Sequence, residues 1–354
     1  MIFMKEIKVF NMPWHLSHQY DLCKLSNVKW YWLVNHRRSF DTMPRGPQED
    51  YGFEWVAQYE KGEYDVALLH IDQQCLEPKL WEIGKGSLFR EVNSVIKDIP
   101  KILIMHGTPY YPEMFSSDIT TENYEALGFT KDQVGMSSKL IKKFKEVTKD
   151  IDFFIFNSHA ARKQWGFDGN PKAKTIWHGL DPEEWRDLSK EPRVVTMISP
   201  GGLPKYYDRN FLRAVREELW ERNIVHCHIT VDARFRNWDE YREFLGRSLI
   251  YFNPTRQSPM PRARTEAMLS GCCVVTTLNQ DADQFIEDGV NGYRALRNPV
   301  FVADLIEGLI GSYGKAIEVG QKGKETAKKI FSGERYRKEW RDVLEKVIVN
   351  YGKK

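Results

Sequence analysis

Cysteine is scarce in this sequence of 354 residues, which has only five, at positions 23, 75, 227, 272 and 273. Their number is odd and their spacing is scattered, and the neighbours Cys272 and Cys273 form neither a plausible bridge nor a CxxC motif. This usage excludes a dense disulfide framework and is typical of small buried side chains in a reducing cytosol. We therefore expect a cytoplasmic protein.

Long apolar runs and an excess of one charge are also missing. No stretch approaches the roughly 18 apolar residues that a membrane-spanning helix needs, and the mean hydropathy is −0.54. The N-terminal segment lacks the apolar region and cleavage site of a secretory signal. The 52 basic and 49 acidic residues leave a formal net charge of +3, so charge alone does not demand a nucleic-acid partner.

Short apolar segments, by contrast, recur along the chain and alternate with helix-like stretches. They are rich in Val, Ile and Phe, and consecutive positions are apolar, as in strands buried on both faces of a parallel sheet. The helical stretches between them indicate βαβ units. Two series of strands are predicted, at Ile7–Phe10, Trp30–Val34, Val66–His70, Ile102–Met105, Phe153–Asn157 and Thr175–Trp177, and at Val194–Ile198, His226–Val231, Leu249–Asn253 and Cys273–Thr276.

A polar stretch with two prolines, Asp181–Arg193, separates the two series and suits a linker. We predict an N-terminal α/β domain over residues 1–186, a second α/β domain over 187–332, and an amphipathic helix over 333–354 that packs back on the first domain. Doubly wound sheets bind ligands at the carboxyl ends of their strands. If those ends face each other, the site lies in the cleft between the domains.

The most informative motif follows the strand that ends at Asn253. A proline-containing loop leads to a helix predicted to begin near Arg264, to carry Glu266 in its first turn and to close at Gly271, where a left-handed residue is expected. Free N–H groups at a helix start favour an anion such as a diphosphate. A carboxylate in that first turn can accept hydrogen bonds from ribose hydroxyls.

This segment resembles glycosyltransferase family four and its relatives with the GT-B fold. Glu266-Ala-Met-Leu-Ser-Gly-Cys-Cys-Val-Val matches the second half of their signature, and Asp288-Gly-Val-Asn-Gly matches their usual Asp-Gly-x-x-Gly turn. The resemblance implies two Rossmann-like domains with parallel sheets facing across a cleft. It also implies sugar transfer from a nucleotide-sugar, with retention of configuration and without a metal.

The resemblance further implies a donor site on the second domain. Glu266 would bond the ribose, and the backbone of residues 259–262 would line the sugar and diphosphate. The family's first motif Glu is replaced by Ser258, which leaves retention or inversion open. The predicted donor-binding residues are Gly202, Ser258, Pro259, Met260, Pro261, Arg262, Arg264, Thr265 and Glu266. A UDP- or GDP-sugar is expected as a substrate, and no cofactor is expected.

Three further residues are candidates for catalysis by the same resemblance. The family carries an Arg and a Lys after the first strand of the second domain, where they neutralise the diphosphate. Lys205 and Arg209 are the nearest basic residues here. His106 ends a strand at the place where relatives often have a His that faces the transferred sugar, and it could act as a proton relay. His70, near the end of the preceding strand, is a second candidate.

The acceptor side and the possible partners are less specified. Trp14 and His15, in the loop after the first strand, are predicted to line an acceptor pocket for a carbohydrate, a glycolipid or another hydroxyl compound. No metal site is expected, because neither His15 and His18 nor His226 and His228 have further ligands at a suitable spacing. Residues 136–149 form a basic amphipathic helix, which either contacts an anionic membrane surface or packs on the sheet.

The sequence therefore predicts a glycosyltransferase, and it leaves alternatives open. A phage-like glycosyltransferase that acts on modified DNA bases would explain Ser258 and the arginine-rich loop. A catalytically silent protein of the same fold would bind a sugar nucleotide or a partner glycosyltransferase. A sugar-nucleotide epimerase of this fold would need no acceptor.

Overall fold

The computed structural model describes residues 6–34, 53–109, 131–198, 209–229, 235 and 237–353. The side chains of Leu16, Arg209 and residues 78–80 and 131–136 are outside that description. The chain divides into two units, and each has its own sheet. The first contains the described parts of Met1–Pro109, Gly135–Gly179 and Gly333–Lys354; the second contains Leu180–Ser332 with residues 131–134.

The first unit is built on a seven-stranded sheet with the order β3-β2-β1-β4-β5-β6-β7, in which all neighbours are parallel. Strands β4 and β5 are buried at every position, as their continuous apolar runs require. The strand order reverses between β1 and β4, so a crevice is expected at their carboxyl ends. The strands are β1 Ile7–Asn11, β2 Val28–Leu33, β3 Phe53–Val56, β4 Val66–Ile71, β5 Lys101–Met105, β6 Phe153–Phe156 and β7 Ala173–Thr175.

The helices of the first unit cover the sheet, and the last helix of the chain shares its core. Helix α11 places Tyr336, Trp340 and Val343 in the same apolar cluster as Trp30 and Trp32 of β2. The apolar spacing along α11 puts these side chains on one face. The helices are α1 Leu16–Cys23, α2 Pro78–Ile83, α3 Lys85–Val95, α4 Lys131–Val147 (whose first residues belong to the second unit), α5 His159–Gln164 and α11 Gly333–Tyr351, with a 3₁₀ turn at Gln73–Leu76.

The second unit has a five-stranded sheet with the order β12-β11-β10-β8-β9, again parallel throughout. Its order reverses between β8 and β10. Its strands are β8 Glu191–Met197, β9 His226–Ile229, β10 Ser248–Asn253, β11 Cys273–Thr277 and β12 Tyr293–Ala295. Its helices are α6 Arg209–Glu221, α7 Trp238–Arg247, α8 Arg262–Leu269, α9 Pro299–Gly311 and α10 Tyr313–Ile330, with 3₁₀ turns at Pro182–Glu184 and Gln280–Gln284.

The two parallel sheets with covering helices confirm the α/β prediction, while several strands differ from it, among them β2 and β8, which begin two and three residues earlier than predicted. The edge strands β3 and β12 were not predicted, because β3 is only half-buried and β12 has three residues, so neither shows a continuous apolar run. Strand β7 begins at Ala173 and ends at Thr175, earlier than predicted. Among the helices of the described residues, none is long and apolar enough to cross a membrane.

Candidate functional site

In the second unit, a buried polar loop follows β10 at the point where the strand order reverses. Asn253 ends the strand, and its Oδ1 accepts a hydrogen bond from the Thr255 backbone N–H at 2.9 Å and another from the Thr255 hydroxyl. The Thr277 hydroxyl at the end of β11 donates to the Thr255 carbonyl at 2.6 Å. These bonds hold the loop against the carboxyl ends of two neighbouring strands.

The loop ends in a proline-rich turn that starts α8. Pro259, Met260 and Pro261 are buried and Ser258 is half-buried. Pro261 occupies the N-cap position, and α8 begins at Arg262, slightly earlier than the sequence predicted. Gly271 just after the helix has a φ of +71°, as expected for a left-handed closing residue. The first turn of a helix in this position presents backbone N–H groups to an anion.

Glu266 lies in this helix with its carboxylate held by two donors. The Tyr241 hydroxyl donates to Oε2 at 2.6 Å, and Arg262 Nε donates to Oε1 at 2.9 Å. The side chain of Glu266 is almost completely buried. The two donors fix the orientation of the carboxylate, each of whose oxygens can accept more than one hydrogen bond.

Arg264 is a fully buried cation with unmet hydrogen-bonding capacity. Its Nη2 lies 3.3 Å from the sulfur of Met260, and its guanidinium lies 4.9 Å from the centre of the Phe285 ring. Within the described part of the chain, its Nε and Nη1 have no hydrogen-bond partner. Burial lowers the pKa of Arg264 to about 10, against the opposing influence of Tyr251 and Asp281. The group stays charged at neutral pH, so it suits an anionic or strongly polar ligand.

Asn279 adds a second such group after β11. Its side chain is 4% exposed, and neither its Oδ1 nor its Nδ2 has a partner among the described residues. Buried polar atoms in proteins are nearly always hydrogen-bonded. Unmet donors and acceptors at this end of the sheet are therefore expected where a polar ligand binds.

The remaining predicted residues of this site are two donor-binding residues, Gly202 and Thr265, and two catalytic candidates, Lys205 and Arg209. Gly202 and Lys205 lie outside the described residues. Arg209 is the first residue of α6, and the description does not include its side chain. Thr265 is fully buried within α8.

Tyr241, which contacts Glu266, was not found from the sequence. It lies on α7 and is fully buried among aromatic rings, with the Trp238 ring centroid 4.9 Å away and that of Phe235 5.6 Å away. Its pairing with Glu266 joins positions 25 residues apart. No local sequence pattern predicts the contact between Tyr241 and Glu266, because it depends on how α7 and α8 pack.

In the first unit, a hydrogen-bonded chain of side chains crosses the carboxyl ends of β1, β4, β5 and β6. His106 directly follows β5, and its Nε2 lies 2.8 Å from Nδ1 of His70. Nε2 of His70 lies 3.1 Å from Oδ1 of Asn11. Nδ2 of Asn157, directly after β6, lies 3.2 Å from Nδ1 of His106. His70 and His106 come together because their strands are neighbours in the sheet.

The surroundings of His106 favour its neutral form. His70 is fully buried and His106 is 8% exposed. Burial holds the pKa of His106 well below its usual range, and the neighbouring His15, His18 and His70 lower it further. His106 is therefore an uncharged hydrogen-bonding group at neutral pH.

The two residues predicted for the acceptor differ in exposure. His15 is exposed at the N-cap of α1, with its ring edge-on to His106 at a centroid distance of 4.8 Å. The Trp14 ring is 7% exposed and lies 4.7 Å below the Lys85 ammonium. His15 is thus exposed, whereas Trp14 is buried beside Lys85.

No group of three or more His, Cys, Asp or Glu side chains in the described ranges is arranged to hold a metal ion. His226 and His228 instead contact the protein, since His226 Nε2 lies 3.0 Å from the Thr196 hydroxyl and His228 Nε2 lies 3.3 Å from the Ile198 carbonyl. Burial lowers the pKa of His226 to about 3, with smaller contributions from Arg216 and His228.

The basic helix predicted over residues 136–149 is the second half of α4. Leu140 and Phe144 are buried, and the Lys143 ammonium lies 4.6 Å from the centre of the Trp81 ring. The apolar face of this helix therefore packs on the protein at Leu140 and Phe144. Lys143 lies beside that face, over the Trp81 ring.

Comparisons with known proteins show the fold. The chain is similar to the crystal structure of Anabaena HepE in complex with UDP and glucose, with a TM-score of 0.65 and 14% identity over 96% of this chain and 100% of that one. It is similar to sucrose-phosphate synthase from Thermosynechococcus elongatus, with a TM-score of 0.65 and 10% identity over 97% and 100% of the chains. A glycosyltransferase from Rickettsia africae matches with a TM-score of 0.60 and 11% identity over 98% and 99%.

These likenesses extend over the whole length of the compared chains, and they confirm the predicted GT-B fold. No protein-family model matches the sequence. No curated protein matches it either.

Proposed function

We propose that this protein is a glycosyltransferase that transfers a hexose or a related sugar from a UDP- or GDP-sugar to a hydroxyl acceptor. The donor binds the second unit at the carboxyl ends of β10 and β11. The acceptor binds the first unit near His106 and His15. The transfer proceeds with retention of configuration and without a metal ion.

The observation that carries the proposal is the group around the start of α8. It combines a helix N-terminus, a carboxylate oriented by Tyr241 and Arg262, and the buried Arg264, two of whose nitrogens have no partner in the part of the chain that the structure describes. A nucleotide-sugar offers the matching chemistry, because its ribose donates hydrogen bonds to Glu266 and its diphosphate accepts them from N–H groups. The HepE crystals, which hold UDP with glucose or UDP-glucose, favour a uridine donor.

Departure of the nucleotide requires stabilisation of the diphosphate as its negative charge grows. Backbone N–H groups at a helix start and a buried guanidinium supply this stabilisation in a site that excludes water. Arg264 takes this role here, together with Lys205 and Arg209. Such fixed positive groups replace the divalent cation that other transferases use.

The test is a screen of UDP-, GDP-, ADP- and dTDP-sugars by thermal shift and by release of the free nucleotide. One donor class should raise the melting temperature and be hydrolysed slowly, or transferred once a sugar acceptor is added. Glu266→Gln should weaken donor binding about tenfold or more, since it removes a charged acceptor of hydrogen bonds.

A matched control is Glu243→Gln, because Glu243 pairs with Arg247 on the half-exposed face of α7. It should leave donor binding unchanged. Stabilisation by a donor without turnover on any acceptor would indicate a silent sugar-nucleotide binding protein. Transfer only onto DNA with modified bases, with a strong salt dependence, would indicate the phage-like alternative. No response of the folded protein to any donor would refute the proposal.

A further inference from the structure

The buried histidine pair of the first unit is part of a longer chain of hydrogen bonds. Asn157 contacts His106 at 3.2 Å, His106 contacts His70 at 2.8 Å, and His70 contacts Asn11 at 3.1 Å. Asn11 Nδ2 then donates to Gln19 Oε1 at 2.6 Å. Three secondary-structure elements and the residues directly after β5 and β6 thus contribute one side chain each to a continuous network.

A 2.8 Å contact between two ring nitrogens needs one proton between them. Two imidazolium rings would each point an N–H at the other, so both rings cannot be charged in this geometry. A neutral imidazole carries its proton on one nitrogen and a lone pair on the other. All the ring N–H groups therefore point the same way along the network. This direction of donation determines which nitrogen of each ring carries the proton.

The amide groups of Asn157 and Asn11, which flank the two histidines, determine in which direction the ring protons are donated. Nδ2 of Asn157 donates to Nδ1 of His106, so the proton of that ring is on Nε2 and is donated to His70. His70 then carries its own proton on Nε2 and donates it to Oδ1 of Asn11. Each of these three contacts joins a donor to an acceptor, and the one mismatch is between the amide nitrogen of Gln19 and Nε2–H of His70, 3.2 Å apart.

The opposite direction satisfies fewer groups. Gln19 Nε2 lies 3.2 Å from Nε2 of His70 and could donate to it. That arrangement would set the oxygen of Asn11 against a lone pair and the amide nitrogen of Asn157 against an N–H. The contact between Gln19 and His70 would become a hydrogen bond, while the contacts of Asn11 and Asn157 with the two rings would become repulsive.

We propose that His70 is a positioning residue that holds His106 as the Nε2–H tautomer, with Nδ1 as a hydrogen-bond acceptor. Nδ1 has the longer contact, to Asn157, and it can accept a hydrogen bond from a substrate hydroxyl when that hydroxyl takes the place of the Asn157 amide. The consequence for catalysis rests on the proposed sugar transfer. The tautomer itself does not, since it follows from the network of the protein without substrate.

The direct test is nuclear magnetic resonance of protein labelled with ¹⁵N and ¹³C in histidine, at neutral pH and without substrate. Long-range proton–nitrogen spectra distinguish a protonated ring nitrogen from one that bears a lone pair, and the His106→Asn spectrum assigns the signals. His106 should show Nε2 protonated and Nδ1 unprotonated. A proton on Nδ1, an imidazolium ring or a mixture of tautomers would overturn the proposal.

Two variants of His70 test its role. In His70→Asn, the amide oxygen lies near the position of the former Nδ1 and can still accept from His106, whereas His70→Leu provides no acceptor. His70→Asn should keep the Nε2–H tautomer, and His70→Leu should yield a mixture. With an active donor and acceptor, kcat should fall about tenfold in His70→Leu, the order expected for one lost hydrogen bond, while KM for the donor stays unchanged and His70→Asn restores much of the rate.

The outcomes separate this inference from the proposed function. The expected tautomer with no activity on any donor would refute the transferase while supporting the role of His70. Equal losses of rate in both variants with an unchanged tautomer would show that His70 only packs the core. If His70→Leu does not fold, the wild-type spectrum and His70→Asn still decide the question.

Discussion

Replacing Arg264 by Met should change stability and donor binding in opposite directions. The substitution removes a fully buried charge whose Nε and Nη1 have no hydrogen-bond partner among the described residues, and Met fills a similar volume. Exchange of buried charged groups for apolar residues is neutral or stabilising by about 1–4 kcal/mol. Loss of the contact with the Phe285 ring offsets roughly 1–2 kcal/mol of that gain.

Without ligand, the net change in the free energy of unfolding is expected to lie between a loss of about 1 kcal/mol and a gain of about 3 kcal/mol, with a gain of about 1 kcal/mol at the centre. For a unit of this size, 1 kcal/mol corresponds to roughly 2–4 °C, so the centre of this range is a melting temperature a few degrees higher in differential scanning fluorimetry. Donor binding should weaken, because one or more charged hydrogen bonds worth about 1.5–3 kcal/mol are lost. That is roughly a 10- to 150-fold increase in Kd, measurable by calorimetry.

Arg193 provides the matched control within the same unit. Its guanidinium also lies on an aromatic ring, 4.0 Å from the centre of Phe244, but it donates to Ser248 and to the Phe244 carbonyl and pairs with Glu191. Arg193→Met should lower stability and leave Kd unchanged. A strongly destabilised Arg264→Met with unaltered donor affinity would show that Arg264 is only a core residue, and the reasoning from its unmet nitrogens would be wrong.

Three further predictions concern individual contacts. Tyr241→Phe leaves Glu266 without one donor and should lower the free energy of unfolding by about 1.5–3 kcal/mol in urea denaturation, and weaken donor binding. The folded-state pKa of His226 is about 3 against an ordinary 6.5, so its contribution to stability is complete above about pH 6.5 and is lost as the pH falls toward 3. His226→Gln should therefore reduce the slope of stability against pH in that window by up to about 1.4 kcal/mol per pH unit. Gly271→Ala forces a side chain into a φ of +71° with its Cβ 2.5 Å from Asp187 Oδ1, and should destabilise by about 2 kcal/mol or more.

Each of these predictions has an outcome that contradicts it. Unchanged urea midpoints and Kd for Tyr241→Phe would show that its hydroxyl does not orient Glu266. Parallel pH profiles of wild type and His226→Gln would show that His226 titrates normally in the folded chain. A melting temperature of Gly271→Ala within a degree of wild type would show that the helix end adapts to a side chain.

Local patterns were sufficient wherever the physical signal is local. The apolar runs of β4 and β5 predict buried parallel strands. The helical spacing of Tyr336, Trp340 and Val343 predicts one buried helix face. The left-handed residue at the end of α8 follows from a single glycine, Gly271. The edge strands β3 and β12 could not be predicted from local patterns, because they are short or half-exposed and bury too little apolar surface to produce a pattern.

Only part of the candidate site could be predicted from local sequence patterns. Its position at the carboxyl ends of strands, with Glu266 on α8, came from the motif, but α8 begins at Arg262 and so Glu266 lies beyond the first turn in which the sequence placed it. The unmet nitrogens of Arg264 did not come from the motif, because an arginine in a loop-helix junction gives no sign of whether it is exposed. Tyr241 on α7 gave no signal either, since its hydroxyl matters only through Glu266.

The sequence by itself determined the class of the fold, the alternation of strands and helices, and the motif around Glu266, because these depend on side chains a few positions apart. The tertiary structure decided which groups meet. His70 and His106 are 36 residues apart and form a pair only because β4 and β5 are neighbours. Asn11 joins them because the strand order reverses between β1 and β4. Contacts of this kind arise from the pairing of whole strands, and so the tautomer of one imidazole depends on the topology of the sheet.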